Sequence, residues 1–250
     1  LEINLLEISD KLKTIQKVKI KNKKVKWIKK IRDVNYGPVI FLANEFFDSL
    51  PIKQIYKKNN FFFEKHIVMS KNSKKFKFTL KKVKKKLSQK INNLNLKNDG
   101  NLIEYPVDSI KYLLEITSKI KEFNGGILAF DYGYTDNKNR DTLQSVKKHK
   151  YSSLFTNIGS SDITSHVNFK LMSELLTKNK LDVNNIVNQN EFLQKLGIYQ
   201  RSNILTEKMT FKEKTKIYYQ LKKLMHLKEM GQLFKVFFAQ KKGVNFSLGF

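Results

Sequence analysis

The sequence contains no cysteine, and it has only three prolines and one tryptophan in 250 residues. Without cysteine the chain forms no disulfide bonds and offers neither thiolate metal ligands nor a cysteine nucleophile. Four histidines are present but no HExxH pair, so a histidine-based metal site is not expected. No apolar run approaches the roughly 18–20 residues of a membrane span. The chain also lacks GxSxG, Walker and GxGxxG motifs, which excludes a complete dinucleotide or ATP site within it.

Arginine is scarce although the chain is strongly basic. The net charge is +27, yet only Arg32, Arg140 and Arg201 are arginine among 49 basic residues. A surplus of positive charge favours an anionic partner such as nucleic acid or a membrane surface. Proteins that bind phosphate usually keep arginine for its bidentate fork. Abundant lysine, asparagine, isoleucine and phenylalanine are typical of an AT-rich coding sequence, so we interpret the charge as surface composition.

Three short apolar segments have the length of a strand, and each has an acidic residue at or just after its end. They occupy residues 1–8, 39–43 and 127–130. The order strand, helix, strand is typical of a parallel α/β sheet, in which ligands bind outside the carboxyl ends of the strands. With 40% hydrophobic residues the chain has enough apolar surface for a buried core.

The polar residues at these strand ends are the candidate site: Glu7, Asn44, Glu45, Asp48, Asp131 and Tyr132. Each also has an ordinary structural explanation, as a partner of a helix dipole, a helix cap or a turn residue. If Asn44 caps a helix, Glu45 and Asp48 share one of its faces. Because the carboxyl ends of parallel strands meet at one edge of a sheet, the joint pattern favours a ligand site.

The rest of the chain predicts additions to this sheet. Residues 52–105 predict an inserted layer of a hairpin turning at Asn59-Asn60, a further strand and a helix. The long polar stretch 134–166 predicts a covering loop, in which His149 and His166 are candidate bases. Helical spacing marks residues 108–122, 167–176, 191–196 and 211–227. Residues 231–239 predict a final strand, at an antiparallel edge.

Six segments of the sequence resemble, in order, the motifs of one enzyme family. The most distinctive are ANEFFDSLP at 43–51 and SDITSHVNF at 161–169. The others are LLEISDKLKTIQ at 5–16, GGILAFDYG at 125–133, RDTLQSVKKHKY at 140–151 and MGQLFKVFFAQK at 230–241. Together they resemble the MidA-like family of S-adenosylmethionine-dependent methyltransferases, the family of the mitochondrial complex I assembly factor that methylates an arginine.

The resemblance implies an α/β fold with a Rossmann-like class I methyltransferase sheet, an inserted β-hairpin and helical additions, in a single domain over 1–250. The family's first strand and glycine-rich loop precede its second-strand motif, so they would lie upstream of Leu1. The chain opens inside an apolar run without a methionine, and we expect an N-terminally truncated domain. Because a glycine turn lets the backbone approach a ligand closely, this chain should bind S-adenosylmethionine poorly.

The resemblance also implies where the cofactor and the substrate bind. For S-adenosylmethionine it implies Glu7 at the ribose, Asp33 near the adenine and Asn44 beside the sulfonium. On the substrate side it implies Asn44, Glu45, Asp131 and Tyr132, and from the covering loop Asp141, Thr142 and His166. A cationic guanidinium acceptor needs carboxylates to hold it, and we expect these to be Glu45, Asp48 and Asp131. No metal is required, and Asn168 stands where the family commonly has an acid.

The expected activity is methylation of an arginine in a protein substrate, a subunit of respiratory complex I. Two alternatives stay open: an RNA methyltransferase, which the charge favours, and a non-catalytic assembly protein that keeps the fold. Steep salt dependence of RNA binding would favour the first alternative, and the intact strand-end acids argue against the second. A homodimer is left open, and no specific nucleic acid or membrane span is expected. The protein would be cytoplasmic in a bacterium and in the mitochondrial matrix in a eukaryote.

The densest lysine cluster, residues 71–90, is not expected to be a specific nucleic-acid site because it contains no arginine. Replacing Lys81, Lys82, Lys84, Lys85 and Lys86 by glutamine should weaken binding equally to RNAs of different sequence, since lysine contacts phosphate charge rather than bases. Mobility-shift titrations with RNAs of equal length measure this. A sequence-selective complex that these substitutions abolish would contradict the interpretation.

Overall fold

The computed structural model describes residues 1–21, 24–70, 75–94, 101–148, 150–244 and 246–250. The helices are α1 (Asp10–Lys19), α2 (Lys85–Asn93), α3 (Val107–Phe123), α4 (Phe169–Lys178), α5 (Gln189–Lys195), α6 (Ile198–Thr206), α7 (Phe211–Met225) and α8 (Met230–Leu233). A 3₁₀ turn covers Ile31–Asp33. None of the described helices is long and apolar enough to cross a membrane.

The first seven strands are β1 (Ile3–Leu6), β2 (Val25–Ile28), β3 (Val39–Asn44), β4 (Lys53–Lys58), β5 (Phe61–Met69), β6 (Phe76–Lys82) and β7 (Leu102–Tyr105). The others are β8 (Gly125–Tyr134), β9 (Gln144–Lys147), β10 (Lys150–Ser152), β11 (Asp162–Thr164), β12 (Val167–Asn168), β13 (Leu181–Val183), β14 (Val187–Asn188) and β15 (Phe234–Lys241).

Strand β8 lies at the centre of the largest sheet. On one side it pairs in parallel with β3 and, at its end, with β12. On the other side it pairs antiparallel with β15, which pairs in turn with β13 and β14. The sequence explains this position, because β8 carries the buried apolar residues Ile127 and Ala129, both fully shielded from solvent.

The C-terminal strand is antiparallel, as predicted, but the expectation that it is an edge is wrong. β15 lies between β8 and the short strands β13 and β14, and the first residues of the predicted strand form helix α8 instead. Val236 and Phe237 of β15 are fully buried. The next two residues, Phe238 and Ala239, are 6% and 0% exposed, so both faces of β15 are buried, which accounts for its nearly continuous hydrophobic run.

Strands β1 and β2 pair in parallel as a separate two-stranded sheet. Helix α1 connects them, and Ser9 caps it as predicted by accepting a hydrogen bond from Leu12 N–H. A cavity of about 430 Å³ lies between residues of β1 and of β3. Within the described ranges, β1 pairs with β2 alone and β3 with β8 alone, and Ile40 and Leu42 of β3 are 62% and 71% exposed. The expected position of the family's first strand upstream of Leu1 stays a prediction.

The predicted hairpin is present and belongs to a four-stranded antiparallel sheet, here called the inserted sheet, of order β6-β5-β4-β7. Helix α2 follows β6 and buries Ile91, in agreement with the predicted apolar spacing. Ile55, Phe62 and Ile103 of the sheet join Ile91 in one apolar cluster. Residues 71–74 of the lysine cluster lie outside the described residues.

Residues 134–166, predicted to be a long covering loop and here called the covering segment, contain regular secondary structure. The described part carries β9, β10 and β11, which form a small antiparallel sheet with β9 in the middle. Periodicity missed these strands because they are only three or four residues long. His149 lies outside the described residues.

The main core lies between β8, β15 and helices α3 and α4. Leu113 and Ile120 of α3 and Leu176 of α4 are at most 1% exposed and belong to one apolar cluster. Phe237 of β15 is also fully buried there, and its ring meets that of Phe169 at a centroid distance of 5.9 Å.

Truncation of Phe237 tests the position of this core. Phe237→Ala should lower the free energy of unfolding by about 3–5 kcal/mol, since it removes a fully buried ring and leaves a cavity. Phe211→Ala is the matched control, because Phe211 is 87% exposed. The control should change stability by less than about 0.5 kcal/mol. Urea denaturation followed by circular dichroism measures both, and equal losses would contradict the assignment.

Candidate functional site

Asn44 and Glu45 lie at the carboxyl end of β3, beside the matching end of β8. Asn44 is paired in register with Phe130, and the N–H of Glu45 donates to the carbonyl oxygen of Phe130 at 2.9 Å. Both side chains are exposed. Glu45 has a φ of 46°, in the left-handed region that residues other than glycine rarely adopt. Backbone strain of this kind is often found at functional sites.

No helix begins at Asn44, so the expectation that Glu45 and Asp48 share a helix face is wrong. The chain forms a turn instead, with Glu45 exposed and Asp48 only 5% exposed. Two features explain the difference. The left-handed backbone of Glu45 interrupts helical geometry. The N–H groups of Phe47 and Asp48, which a helix cap would otherwise satisfy, donate to a side chain of another strand.

That side chain is the carboxylate of Asp131, which is fully buried in β8. Its Oδ2 accepts from the N–H groups of Phe47 and Asp48 at 3.0 and 3.2 Å, and its Oδ1 accepts from Tyr132 N–H at 3.0 Å. The alternative explanation of Asp131 as a turn residue does not hold, because β8 continues to Tyr134. Asp131 therefore holds the turn after β3 in place.

The surroundings of Asp131 oppose its negative charge. Burial is the main cause, and the nearby charge of Asp48 adds to it; together they raise the pKa of Asp131 from its ordinary value of 3.8 to about 7. The three backbone N–H donors lower this pKa but do not outweigh the burial. Asp131 therefore stays largely protonated over much of the range below neutral pH, unlike an ordinary carboxyl group.

Asp48 joins this pair to Tyr132. The Tyr132 hydroxyl donates to Asp48 Oδ2 at 2.5 Å. Burial and this hydrogen bond raise the pKa of Tyr132 well above its usual value, so the phenol stays protonated. The other carboxylate oxygen of Asp48, Oδ1, is buried and receives no hydrogen bond from the part of the chain that the structure describes.

His166 and Thr142 of the covering segment lie against this cluster. The His166 ring meets the Tyr132 ring edge to face at a centroid distance of 5.4 Å. The N–H of His166 donates to Thr142 Oγ1 at 3.0 Å. Burial, with a contribution from the charge of Arg140, lowers the pKa of His166, so its imidazole is neutral at neutral pH.

The structure places other predicted residues away from this cluster. Asp141 accepts a hydrogen bond from Gln54 of the inserted sheet at 2.6 Å, and its side chain is 52% exposed. Asn168 caps helix α4 by accepting from Leu171 N–H at 3.0 Å, a role that needs no charge. Sequence reasoning missed Glu104 of β7 and Gln54 of β4, because no motif marks either residue and they are 50 positions apart in the chain.

Glu7 and Asp33 lie on the β1–β2 side of the molecule. Glu7 follows β1, and its two oxygens accept from Ser9 N–H at 2.8 Å and Gln16 Nε2 at 3.0 Å. Asp33 is exposed and accepts from Lys30 N–H at 3.1 Å within the 3₁₀ turn. Neither residue belongs to the cluster of Asp48, Asp131, Tyr132 and His166. Their roles in binding the cofactor stay predictions.

A family model described as "Putative S-adenosyl-L-methionine-dependent methyltransferase" matches residues 1–187. The chain belongs to this family. The resemblance inferred from the six motifs is thereby confirmed, and so is the expected fold class, because structures of similar fold are known. A crystal structure of a protein from Burkholderia thailandensis matches 99% of this chain and 68% of its own length, with a TM-score of 0.83 and 19% identity. A second, from the same organism with S-adenosyl-homocysteine bound, covers 99% and 66% with a TM-score of 0.80 and 19% identity.

Curated relatives of this family member are named as protein arginine methyltransferases. The Caenorhabditis elegans "Protein arginine methyltransferase NDUFAF7 homolog, mitochondrial" is 29% identical over 70% of this chain and 41% of its own length. The Xenopus tropicalis "Protein arginine methyltransferase NDUFAF7, mitochondrial" is 25% identical over 95% of this chain and 60% of its own. The chain thus spans about 40 to 60% of the length of these relatives.

Substitution of Asp131 tests the burial of its carboxyl group. The unfolded chain releases this proton near pH 4, whereas the folded chain keeps it to about pH 7. Raising the pH through this interval therefore favours unfolding, by up to about 1.4 kcal/mol per pH unit. Asp131→Asn, which keeps an acceptor oxygen, should abolish this decline between pH 4 and pH 7.

Unfolding free energies by urea denaturation at several pH values measure the effect, with the exposed Asp182→Asn as control. Asp182→Asn should retain the wild-type slope. A slope in Asp131→Asn equal to that of the wild type would show that the carboxyl group of Asp131 is not the group that titrates.

Proposed function

We propose that the protein transfers a methyl group from S-adenosylmethionine to an arginine side chain of another protein. Membership of the methyltransferase family supports the methyl donor, and the names of the curated relatives support the acceptor. The observation that carries the proposal is the exposed carboxylate of Glu45 at the carboxyl end of β3, beside the buried carboxyl groups of Asp48 and Asp131. In a chain of net charge +27, this is where a guanidinium cation is attracted rather than repelled.

The position of Glu7 fits the ribose of the donor. Two hydrogen bonds, from Ser9 N–H and Gln16 Nε2, fix the carboxylate at the carboxyl end of β1. A carboxylate has about four acceptor positions, so two are left for ribose hydroxyl groups. The cavity between β1 and β3 is lined by Gln16, the hydrogen-bond partner of Glu7, and by Asn44 and Phe46. These residues would hold the donor, which supplies an electrophilic methyl group when bound.

On the acceptor side, Glu45 binds and orients the guanidinium. Its carboxylate is exposed at the strand end, and the carbonyl oxygen of Phe130 fixes its backbone. The turn below it is rigid because Asp131 holds Phe47 and Asp48. Holding the reacting groups in line can account for roughly 7–11 kcal/mol of a barrier at best.

The acceptor nitrogen loses a proton as it gains the methyl group, and His166 can accept it. The pKa of His166 is lowered by burial, so the neutral imidazole with a free nitrogen lone pair predominates near pH 7. The ring is fixed against Tyr132, whose hydroxyl is committed to Asp48. The Asp48–Tyr132 contact therefore shapes the wall of the acceptor site.

The protein acceptor that we propose is a subunit of respiratory complex I, with a role in its assembly. The mitochondrial relatives support this acceptor and, in a eukaryotic cell, the mitochondrial matrix as the location.

Substitution of Glu45 tests the acceptor site in the protein expressed from its complete reading frame. Glu45→Ala should abolish measurable methyl transfer while the fold stays intact. A charge-assisted contact of this kind contributes about 1.5–3 kcal/mol, or more when it is shielded from water. Glu45→Gln, which keeps the shape but not the charge, should lose nearly as much. Incorporation of a labelled methyl group into complex I subunits measures activity.

The matched control is Glu207→Ala, which removes another exposed glutamate far along the chain. It should keep wild-type activity, and circular dichroism should show all three variants folded. A folded Glu45→Ala protein with full activity would exclude Glu45 from the acceptor site. Transfer to RNA instead of protein would contradict the proposed acceptor class.

A further inference from the structure

We propose that Glu104, in β7 of the inserted sheet, is a positioning residue that fixes His166 and so the acceptor side of the site. Its contacts are independent of any assumed reaction, whereas its effect on catalysis rests on the proposed function. Glu104 is 9% exposed and lies in the inserted sheet, whereas Asn44 and Asp131 lie in the largest sheet.

The carboxylate of Glu104 accepts hydrogen bonds from both donors of Thr142, its backbone N–H and its hydroxyl group. Oε1 accepts from Thr142 N–H at 2.9 Å, and Oε2 accepts from Thr142 Oγ1 at 2.5 Å. Gln54 Nε2 donates to Oε1 as well, at 3.0 Å. All three partners are donors, so the site requires an acceptor-only group, which an ionised carboxylate provides.

Thr142 transmits this constraint to His166. Because the Thr142 hydroxyl donates its proton to Glu104, its oxygen is free to accept from His166 N–H, at 3.0 Å. The neighbouring Ser165 N–H donates to the carbonyl oxygen of Asp48 at 3.1 Å. The backbone on both sides of the Ser165–His166 peptide is thus attached, and the His166 ring is left against Tyr132.

Further contacts between the covering segment and the inserted sheet surround the Glu104–Thr142 pair. Asn139 Oδ1 accepts from Leu102 N–H at 3.2 Å. The Phe155 ring packs on those of Phe76 and Phe78 at centroid distances of 5.7 and 4.9 Å. These contacts keep the covering segment near the inserted sheet without Glu104, so loss of Glu104 should loosen the Thr142–His166 region and not detach the whole segment.

Loss of the Glu104 carboxylate leaves two partly buried donors of Thr142 without this partner. Such groups carry a full desolvation cost, and the local structure opens to hydrate them. Glu104→Leu removes every acceptor, whereas Glu104→Gln keeps one oxygen for Thr142 N–H. Disturbance at His166 should therefore increase in the order wild type, Glu104→Gln, Glu104→Leu.

Hydrogen exchange on residues 1–250 tests the contacts without any assumption about function. In Glu104→Leu the amides of Thr142, Ser165 and His166 should exchange roughly tenfold faster or more, given the usual strength of hydrogen bonds to charged groups. Glu64→Gln is the control, because Glu64 is a similarly shielded glutamate of β5 that pairs with Lys53 and His66. It should leave these amides unchanged. Should Glu104→Leu fail to fold, Thr142→Val removes the same hydroxyl contact from the other side.

Kinetics of the protein expressed from its complete reading frame test the positioning role. Glu104→Leu should raise KM for the protein acceptor roughly tenfold or more and flatten the pH profile that His166 confers, while KM for S-adenosylmethionine is unchanged. Glu104→Gln should restore part of both. Glu64→Gln should match the wild type.

Faster exchange at Ser165 and His166 together with a higher acceptor KM supports the proposal. Unchanged exchange overturns it, as does faster exchange with wild-type acceptor KM, which would make Glu104 a purely structural residue. Absence of methyl transfer in the wild type would reject the proposed function, whereas the exchange experiment would still decide whether Glu104 fixes His166.

Discussion

The carboxylate of Asp131 fixes the turn on which the candidate site depends. It accepts the N–H groups of Phe47 and Asp48, which follow the end of β3, and it does so from the interior of β8. Without this acceptor the two buried N–H groups would lack partners, at a cost of about 1–3 kcal/mol each. The same bonds direct the Asp48 side chain toward Tyr132 and leave Glu45 exposed above it. Asp131 and Asp48 thus form an inner, buried pair of carboxyl groups with a structural role. Glu45 is the outer carboxyl group, which can meet a substrate.

The electrostatics of the site follow from this separation. Burial and the proximity of Asp48 raise the pKa of Asp131 to about 7, so the inner pair carries less than its full negative charge near neutrality. Glu45 keeps a solvated carboxylate within a chain of net charge +27. Burial also keeps His166 neutral, because it lowers the pKa of a base, whose protonated form is the charged one. In the function that we propose, the cluster attracts a cation at its surface and accepts a proton at its wall, which are two of the requirements of methyl transfer to a guanidinium.

Two additions to the central sheet meet at the acceptor side. The inserted sheet contributes Glu104 and Gln54, and the covering segment contributes Thr142 and His166. A flexible loop over a site would have to be ordered at each substrate encounter, with the associated loss of conformational entropy. Here the three strands of the covering segment order it in advance, together with the hydrogen bond of Thr142 to Glu104 in the inserted sheet. Such preorganisation is what positions a catalytic base.

Sequence alone determined the elements whose signal is local. The apolar runs predicted β1, β3 and β8, the Asn59-Asn60 turn predicted the hairpin, Ser9 predicted the start of α1, and six motifs predicted the family. It also placed Asp48, Asp131, Tyr132 and His166 among the candidates, although their roles could not be told apart. Only the tertiary structure decided that Asp131 is an interior cap, that Asn44 begins a turn, that β15 is internal and that Glu104 belongs to the site. These features depend on contacts between residues far apart in the chain, such as Phe47 with Asp131 and Glu104 with Thr142. Hydrophobic periodicity and capping signals report on neighbours within a few residues, so they carry no information about which distant strand supplies the acceptor for a buried N–H.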